Sequence, residues 1–192
     1  LGASAIAAVG MAGMITWTFI SLGIAFRTGT QSFVSRRLGE KEYDKCSTAL
    51  HNMLFLSFLI GVPITLIACN YIDFIISLFI NKNDNLDTFN LSVDYAYFNF
   101  LSLFFLYASF VFQGFFTGVE KTKIHMKATL SSNIVNVYLN FGLIFGSEQI
   151  VERLDGTVFA IFSNFWTFYN FPELGVKGAA IGTMVASMWL FS

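Results

Sequence analysis

Asn133, Asn136 and Asn140 stand at i, i+3 and i+7 in a stretch that holds no Asp, Glu, Lys or Arg. On a helix this spacing puts three amides on one face. Each amide carries an oxygen acceptor and an NH2 donor. In apolar surroundings such a stripe has two uses. It can tie neighbouring helices together, at about 0.6 kcal/mol per hydrogen bond. It can also line a polar cavity, where neutral oxygens accept a hard cation or the donors of a ligand. Both readings stand for this stripe, and Thr129 extends it by one turn.

Two further stripes share the pattern. Asn99, Ser102, Ser109 and Gln113 follow i, i+3, i+10 and i+14, and Thr183 and Ser187 are i, i+4 neighbours. Their first reading is interhelical glue, and Asn99, Gln113 and Thr183 are the members best suited to a cavity wall. Glycines at 10, 13 and 29 mark places where backbones can approach closely. No carboxylate lies inside these stretches, and Asp73 and Asp94 only flank two of them. An ion path here would rest on neutral oxygens or on an acid supplied from elsewhere in the parent protein.

Other chemistry is poorly served. Cys46 and Cys69 would be separated by roughly 35 Å of helix, too far for a disulfide. His51 and His125 are isolated, and no zinc-type spacing, phosphate loop, nucleophile elbow or HExxH sequence occurs. No catalytic or metal-ligating constellation is visible, so the expectation is a protein that is not an enzyme and has no resident cofactor.

The elements that carry the stripes follow from composition. Only 12% of the 192 residues are charged and 55% are hydrophobic, with 24 Phe and 2 Pro. A soluble domain carries about 25% charged residues. A net charge of −1 does not suit nucleic acid, which needs a concentrated basic face. An all-α polytopic membrane protein is predicted, with the lipid bilayer as its surroundings. Spans are expected at about residues 3–34, 46–72, 95–119, 128–147 and 178–192, the last cut short. The first residue is Leu and the last falls inside an apolar run, so the chain reads as an internal piece of a longer protein.

Orientation follows from Lys and Arg. The segments after the first and third spans hold Arg36, Arg37, Lys41, Lys45, Lys121, Lys123 and Lys127, while the others hold Lys82, Arg153 and Lys177. The positive-inside rule makes residues 35–45 and 120–127 cytoplasmic in a plasma (inner) membrane. The first span then runs inward, and an odd number of spans, most simply one, precedes it. The stretch 148–173 becomes an outer loop. Seven of its 13 residues from Phe159 to Phe171 are aromatic. That density suits the headgroup level, so 156–172 reads as interfacial rather than as a span.

The loops resemble a known family. Gly29-Thr-Gln-Ser-Phe-Val-Ser-Arg-Arg-Leu-Gly39 is similar to the cytoplasmic loop after the second helix of the multidrug and toxic compound extrusion (MATE) transporters. Leu1-Gly-Ala-Ser-Ala-Ile-Ala-Ala-Val-Gly10 resembles the entry to that helix, and Gly114-Phe-Phe-Thr-Gly-Val-Glu-Lys-Thr-Lys123 resembles the loop after the fourth. The stretch 133–146 and then 172–183 resembles the fifth helix and the entry to the sixth. In order and spacing the matches cover nearly the whole chain.

The resemblance implies helices two to six of twelve, in a partial N-terminal lobe (a MatE-like domain) over residues 1–192. Helix one and the C-terminal lobe would be the missing parts. It further implies efflux of drugs or organic cations, by antiport with Na+ or H+ and alternating access of two lobes. In members with a cation site in this lobe, the fifth helix carries an Asn and, four residues on, often an acid. Asn136 matches the first, and Asn140 stands where the acid would be; an amide does not titrate but can ligate Na+. The stretch 147–171 is longer than the family's usual connection. Two alternatives are a lipid-linked saccharide flippase of the same fold and a non-transporting membrane subunit. The first would favour a cationic cavity, yet Arg27 is the only basic residue within a span, and it lies near a helix end. The second would not need amide stripes on two helices.

Overall fold

The computed structural model describes residues 2–82, 86–154 and 170–191. Among these, every regular element is an α-helix: α1 (Ala3–Gly39), α2 (Tyr43–Asn70), α3 (Ile72–Ser77), α4 (Leu86–Gly118), α5 (Thr122–Leu154) and α6 (Val176–Phe191). Helices satisfy their backbone groups internally, which a hydrocarbon surrounding demands. α1, α2, α4 and α5 are each long and apolar enough to cross a membrane, and α6 is a shorter apolar helix. Most of the aromatic run 156–172, expected at the interface, lies outside the described residues.

The helices outrun the uncharged stretches. The 37 residues of α1 rise about 55 Å, against a hydrocarbon core about 30 Å thick. Its last turn, with Arg36 and Arg37, therefore has room to project beyond the core. The second stretch behaves differently. α2 ends at Asn70, Tyr71 leaves helical geometry (φ −107°, ψ 21°), and the chain restarts as α3. The change of direction turns Ile72 and Ile76 into the core beside α4. α5 continues to Leu154 but is interrupted at Gly146, whose φ of 72° only glycine adopts without strain.

α4 is the centre of the bundle and contacts each of the other helices. Its Phe100, Leu103, Tyr107 and Val111 are fully buried. α1 runs parallel to it. Ser92 Oγ lies 3.4 Å from Ala8 O, the Tyr107 hydroxyl donates to Phe19 O at 2.6 Å, and Ser35 Oγ lies 3.4 Å from Gly118 O. These links join residues 84, 88 and 83 apart in sequence. Such a nearly constant offset requires parallel helices in one register. Small residues let them close: a Cβ on Gly114 would strike the Arg27 carbonyl, and one on Gly118 would meet Val34 Cβ at 2.9 Å. α2 returns antiparallel, with the Phe58 ring tilted against Phe104, centroids 4.8 Å apart, and Cys46 beside Val34.

Two turns at the same end of the bundle close alike. After α1, Lys41 N donates to Leu38 O and Glu42 N to Arg37 O, both at 3.0 Å. After α4, Glu120 N donates to Thr117 O at 3.1 Å and Lys121 N to Phe116 O at 2.8 Å. This is the paired bonding of a Schellman motif. The left-handed position is taken by Lys41 (φ 58°) in one and Glu120 (φ 61°) in the other. The first turn also carries an ion-pair network. Glu40 pairs with Arg36 at 3.0 Å and Arg37 at 2.8 Å, and Glu42 pairs with Arg37 at 2.9 Å and Lys45 at 2.5 Å. The hydrogen bond from Arg36 holds the Glu40 carboxyl below the usual carboxylate range, and that from Lys45 does the same for Glu42.

Candidate functional site

The asparagine stripe of α5 divides in two. The Asn140 Nδ2 group donates to Asn136 Oδ1 at 3.0 Å, as their i, i+4 spacing allows. Asn140 Oδ1 is buried and accepts no hydrogen bond among the described residues. A buried acceptor left unmet costs about 1–3 kcal/mol. Asn133 is not part of the pair. It is exposed and lines a shallow, apolar groove of about 390 Å³ with Ile134, Val137 and Tyr138.

α6 forms the wall opposite the pair. Gly178, Gly182 and Ala186 are spaced i, i+4, i+8 and present one narrow face to α5. A Cβ on Gly178 would strike the Leu143 carbonyl, and one on Gly182 would strike Asn140 Oδ1. Further along, the Ser132 hydroxyl donates to Ala186 O at 2.7 Å, and Trp189 Nε1 to Ser131 Oγ at 2.9 Å. The helices are therefore antiparallel. The chain entering α6 is pinned at the Gly146 break: Leu174 N donates to Leu143 O at 2.9 Å, and Phe171 packs on Tyr138 with ring centroids 5.7 Å apart.

The remaining predicted residues lie apart from the pair. Asn99 is buried in α4, and its Nδ2 donates to Tyr95 O of its own helix at 2.8 Å. Ser102 and Ser109 likewise bond carbonyls within α4, at 2.7 and 2.9 Å. Gln113 is half-buried beside Gly114. Thr183 neighbours Gly182, but its hydroxyl donates to Ala179 O at 2.9 Å. Among the described residues no hydrogen bond joins Asn99, Gln113 or Thr183 to Asn136 or Asn140. The stripe of α4 is thus satisfied largely within its own helix rather than across helices.

Sequence reasoning did not find Gly178 and Gly182, although their i, i+4 spacing was the available signal. It also did not pair Lys177 with Asp94, which meet at 3.1 Å where α6 begins beside α4. Nothing in the sequence aligns those two helices in advance.

Comparison with known proteins decides the lineage of this arrangement. The MatE family model matches residues 1–141. The chain belongs to the MatE family, the multidrug and toxic compound extrusion transporters. A MatE relative, the multidrug export protein MepA of Staphylococcus haemolyticus, is 30% identical over 141 residues, covering 73% of this chain and 30% of MepA. The probable multidrug resistance protein YoeA of Bacillus subtilis is 23% identical over 191 residues, covering 100% of this chain and 36% of YoeA. Solved MATE structures agree in fold. An inward-facing transporter matches with TM-score 0.75 at 23% identity, and an outward-facing one with 0.73 at 24%; each match covers 100% of this chain, with 37% and 36% of the respective transporters. The chain thus spans about a third of the length of the curated relatives it matches. It is a piece of a multi-pass membrane protein of the MATE fold.

Proposed function

We propose that the protein carrying this chain exports drugs or organic cations by antiport with Na+ or H+, and that its two lobes open alternately to each side of the membrane. This chain supplies most of one lobe. The observation that carries the reading is Asn140 Oδ1, a buried acceptor without a partner among the described residues, held in place by Asn136. An exporter must hold its coupling ion for only part of a cycle, so its site needs an oxygen that no other group of the protein has claimed. Neither amide titrates, so this position favours Na+, which takes oxygen ligands. Any proton-carrying group would lie elsewhere.

The site is tested by efflux into or out of proteoliposomes at equal amounts of folded full-length protein. Asn136→Ala and Asn140→Ala are expected to reduce efflux, whereas Val135→Ala on another face leaves it intact. Asn140→Asp introduces a titratable group and is expected to make efflux more pH-dependent. Unchanged efflux and unchanged pH dependence in all three Asn variants remove the pair from the mechanism.

The proposed membrane is the plasma (inner) membrane, with 35–45 and 120–127 cytoplasmic. The basic residues of both segments support this orientation. Cysteine placed at Lys41 or Lys123 should resist an impermeant thiol reagent added outside intact cells. Labelling of both from outside would reverse the orientation.

A further inference from the structure

A cavity of about 310 Å³ opens between the end of α1 and the start of α2, away from the amide pair. Arg37, Lys45, Thr48 and Asn52 form its polar part, and Phe33, Ala49 and Met53 its apolar part. From Lys45 to Met53 the helix rises about 12 Å. Arg37 and Lys45 sit at the charged α1–α2 turn, and Phe33, Ala49, Asn52 and Met53 lie farther along their helices from it. Phe33 is 59% exposed and the neighbouring Tyr43 65%, so both rings stand free at this level.

The charges are unbalanced in a specific way. The ion-pair network joins three cations, Arg36, Arg37 and Lys45, to two carboxylates, Glu40 and Glu42. One positive charge is left over. Arg37 spends only its Nη1 group on the two carboxylates. Its Nε and Nη2 hydrogens have no partner among the described residues, and a guanidinium is suited to phosphate oxygens. Asp44 lies on the exposed side of α2, outside the network and the cavity lining.

We infer that this cavity binds an anionic glycerophospholipid of the adjoining leaflet, with the phosphodiester on Arg37 and Lys45 and the start of an acyl chain along Phe33 and Met53. A phosphodiester supplies the single negative charge that the network lacks. Basic pockets between membrane helices recognise acidic headgroups in this manner. A zwitterionic lipid adds a cation next to a site that already has one in excess. A soluble phosphate satisfies the guanidinium but leaves the apolar part empty.

The test is a titration of the full-length protein in detergent with phosphatidylglycerol, phosphatidylcholine or inorganic phosphate, read by thermal shift. Phosphatidylglycerol is expected to stabilise at concentrations several-fold below phosphatidylcholine, and inorganic phosphate to have no effect in that range. Arg37→Gln and Lys45→Gln should each weaken phosphatidylglycerol by about fivefold and leave phosphatidylcholine unchanged. Ala49→Leu keeps the network, fills the apolar part and should weaken both lipids. Equal affinity for the two lipids, or full phosphatidylglycerol affinity in both charge variants, overturns the inference. Inorganic phosphate binding as tightly as phosphatidylglycerol also overturns it, in favour of a soluble anion. Should Arg37→Gln fail to fold, Lys45→Gln and the competition of the two lipids for the unmodified protein, read by native mass spectrometry, decide alone. None of these readouts depends on transport.

Discussion

Gly182 of α6 lies so close to Asn140 of α5 that a single added methyl group would overlap the amide oxygen. The same glycine thus sets the separation of two helices and forms one wall of the proposed ion site. Gly182→Ala is expected to cost about 1–3 kcal/mol through overpacking and to disturb transport beyond its effect on stability. Around Gly10 and Gly13 of α1, by contrast, a Cβ would meet nothing within 4 Å. Alanine there should be neutral or stabilising by about 0.5–1 kcal/mol. Thermal unfolding of the full-length protein in detergent compares the three.

Tyr107 offers a cleaner deletion. Its ring is fully buried beside Phe26, and its hydroxyl donates across to Phe19 O at 2.6 Å. Tyr107→Phe keeps the ring and removes the bond, with an expected loss of about 1 kcal/mol. Ser109→Ala removes a bond made within α4 only and should change stability less. An equal loss from both would mean that the α1–α4 bond contributes nothing special.

Lys41 and Glu120 each hold a left-handed conformation that costs a residue with a Cβ about 1–2 kcal/mol. Glycine at either position should therefore stabilise the protein by up to about 1 kcal/mol, once the greater freedom of its unfolded chain is subtracted. Neither residue belongs to a described ion pair, but Lys41 stands between Glu40 and Glu42 of the network, so Glu120→Gly is the clearer test. A fall in melting temperature in both variants would refute this account of the turns.

The α1–α2 turn should respond to acid. Glu40 and Glu42 are held below their ordinary value of 4.5 by Arg36 and Lys45. Groups with lowered values stabilise the folded state above the unfolded value and lose that contribution as pH falls through the folded one. Amide exchange at Lys41 and Glu42, corrected for its intrinsic pH dependence, is expected to show constant protection from pH 8 to about 5.5 and to lose protection below about 4.5. Loss of protection already between pH 8 and 6 would point to a different group. High salt should shrink the effect, since Glu40 is exposed and Glu42 only half-buried.

Much of the fold was legible because lipid leaves few options. Uncharged stretches of about 20 residues must be helices, and their order predicted the bundle. The amide pair was legible from its i, i+4 spacing. Asn133 was misgrouped for a geometric reason. α5 and α6 cross, so the line of contact moves around α5 from Asn140 to Ser132 and Ser131, and Asn133 falls outside it. Periodicity gives the face of one helix and says nothing of where a neighbour leaves it. The break at Tyr71 was hidden for a similar reason, since α3 is as apolar as the end of α2 and only packing on α4 separates them. The twin turns lacked their usual signal: glycines at 39 and 118 come two residues before the left-handed positions, which Lys41 and Glu120 occupy.

The parallel register of α1 and α4 has a consequence for how the protein is made. Its links join residues 83 to 88 apart in the chain. At a synthesis rate of roughly 5–20 residues per second, α1 waits about 4–18 s for its partner to leave the ribosome. During that interval α2 is its only long neighbour from this chain, and the face of α1 that will receive α4, with Ala8, Ala12 and Gly23 buried in the finished bundle, stays uncovered at the insertion machinery. Codon changes that slow translation between residues 43 and 118 lengthen this wait without altering a single side chain. Yield in the membrane should therefore depend on the tempo of that stretch more than on the same slowing placed after α4.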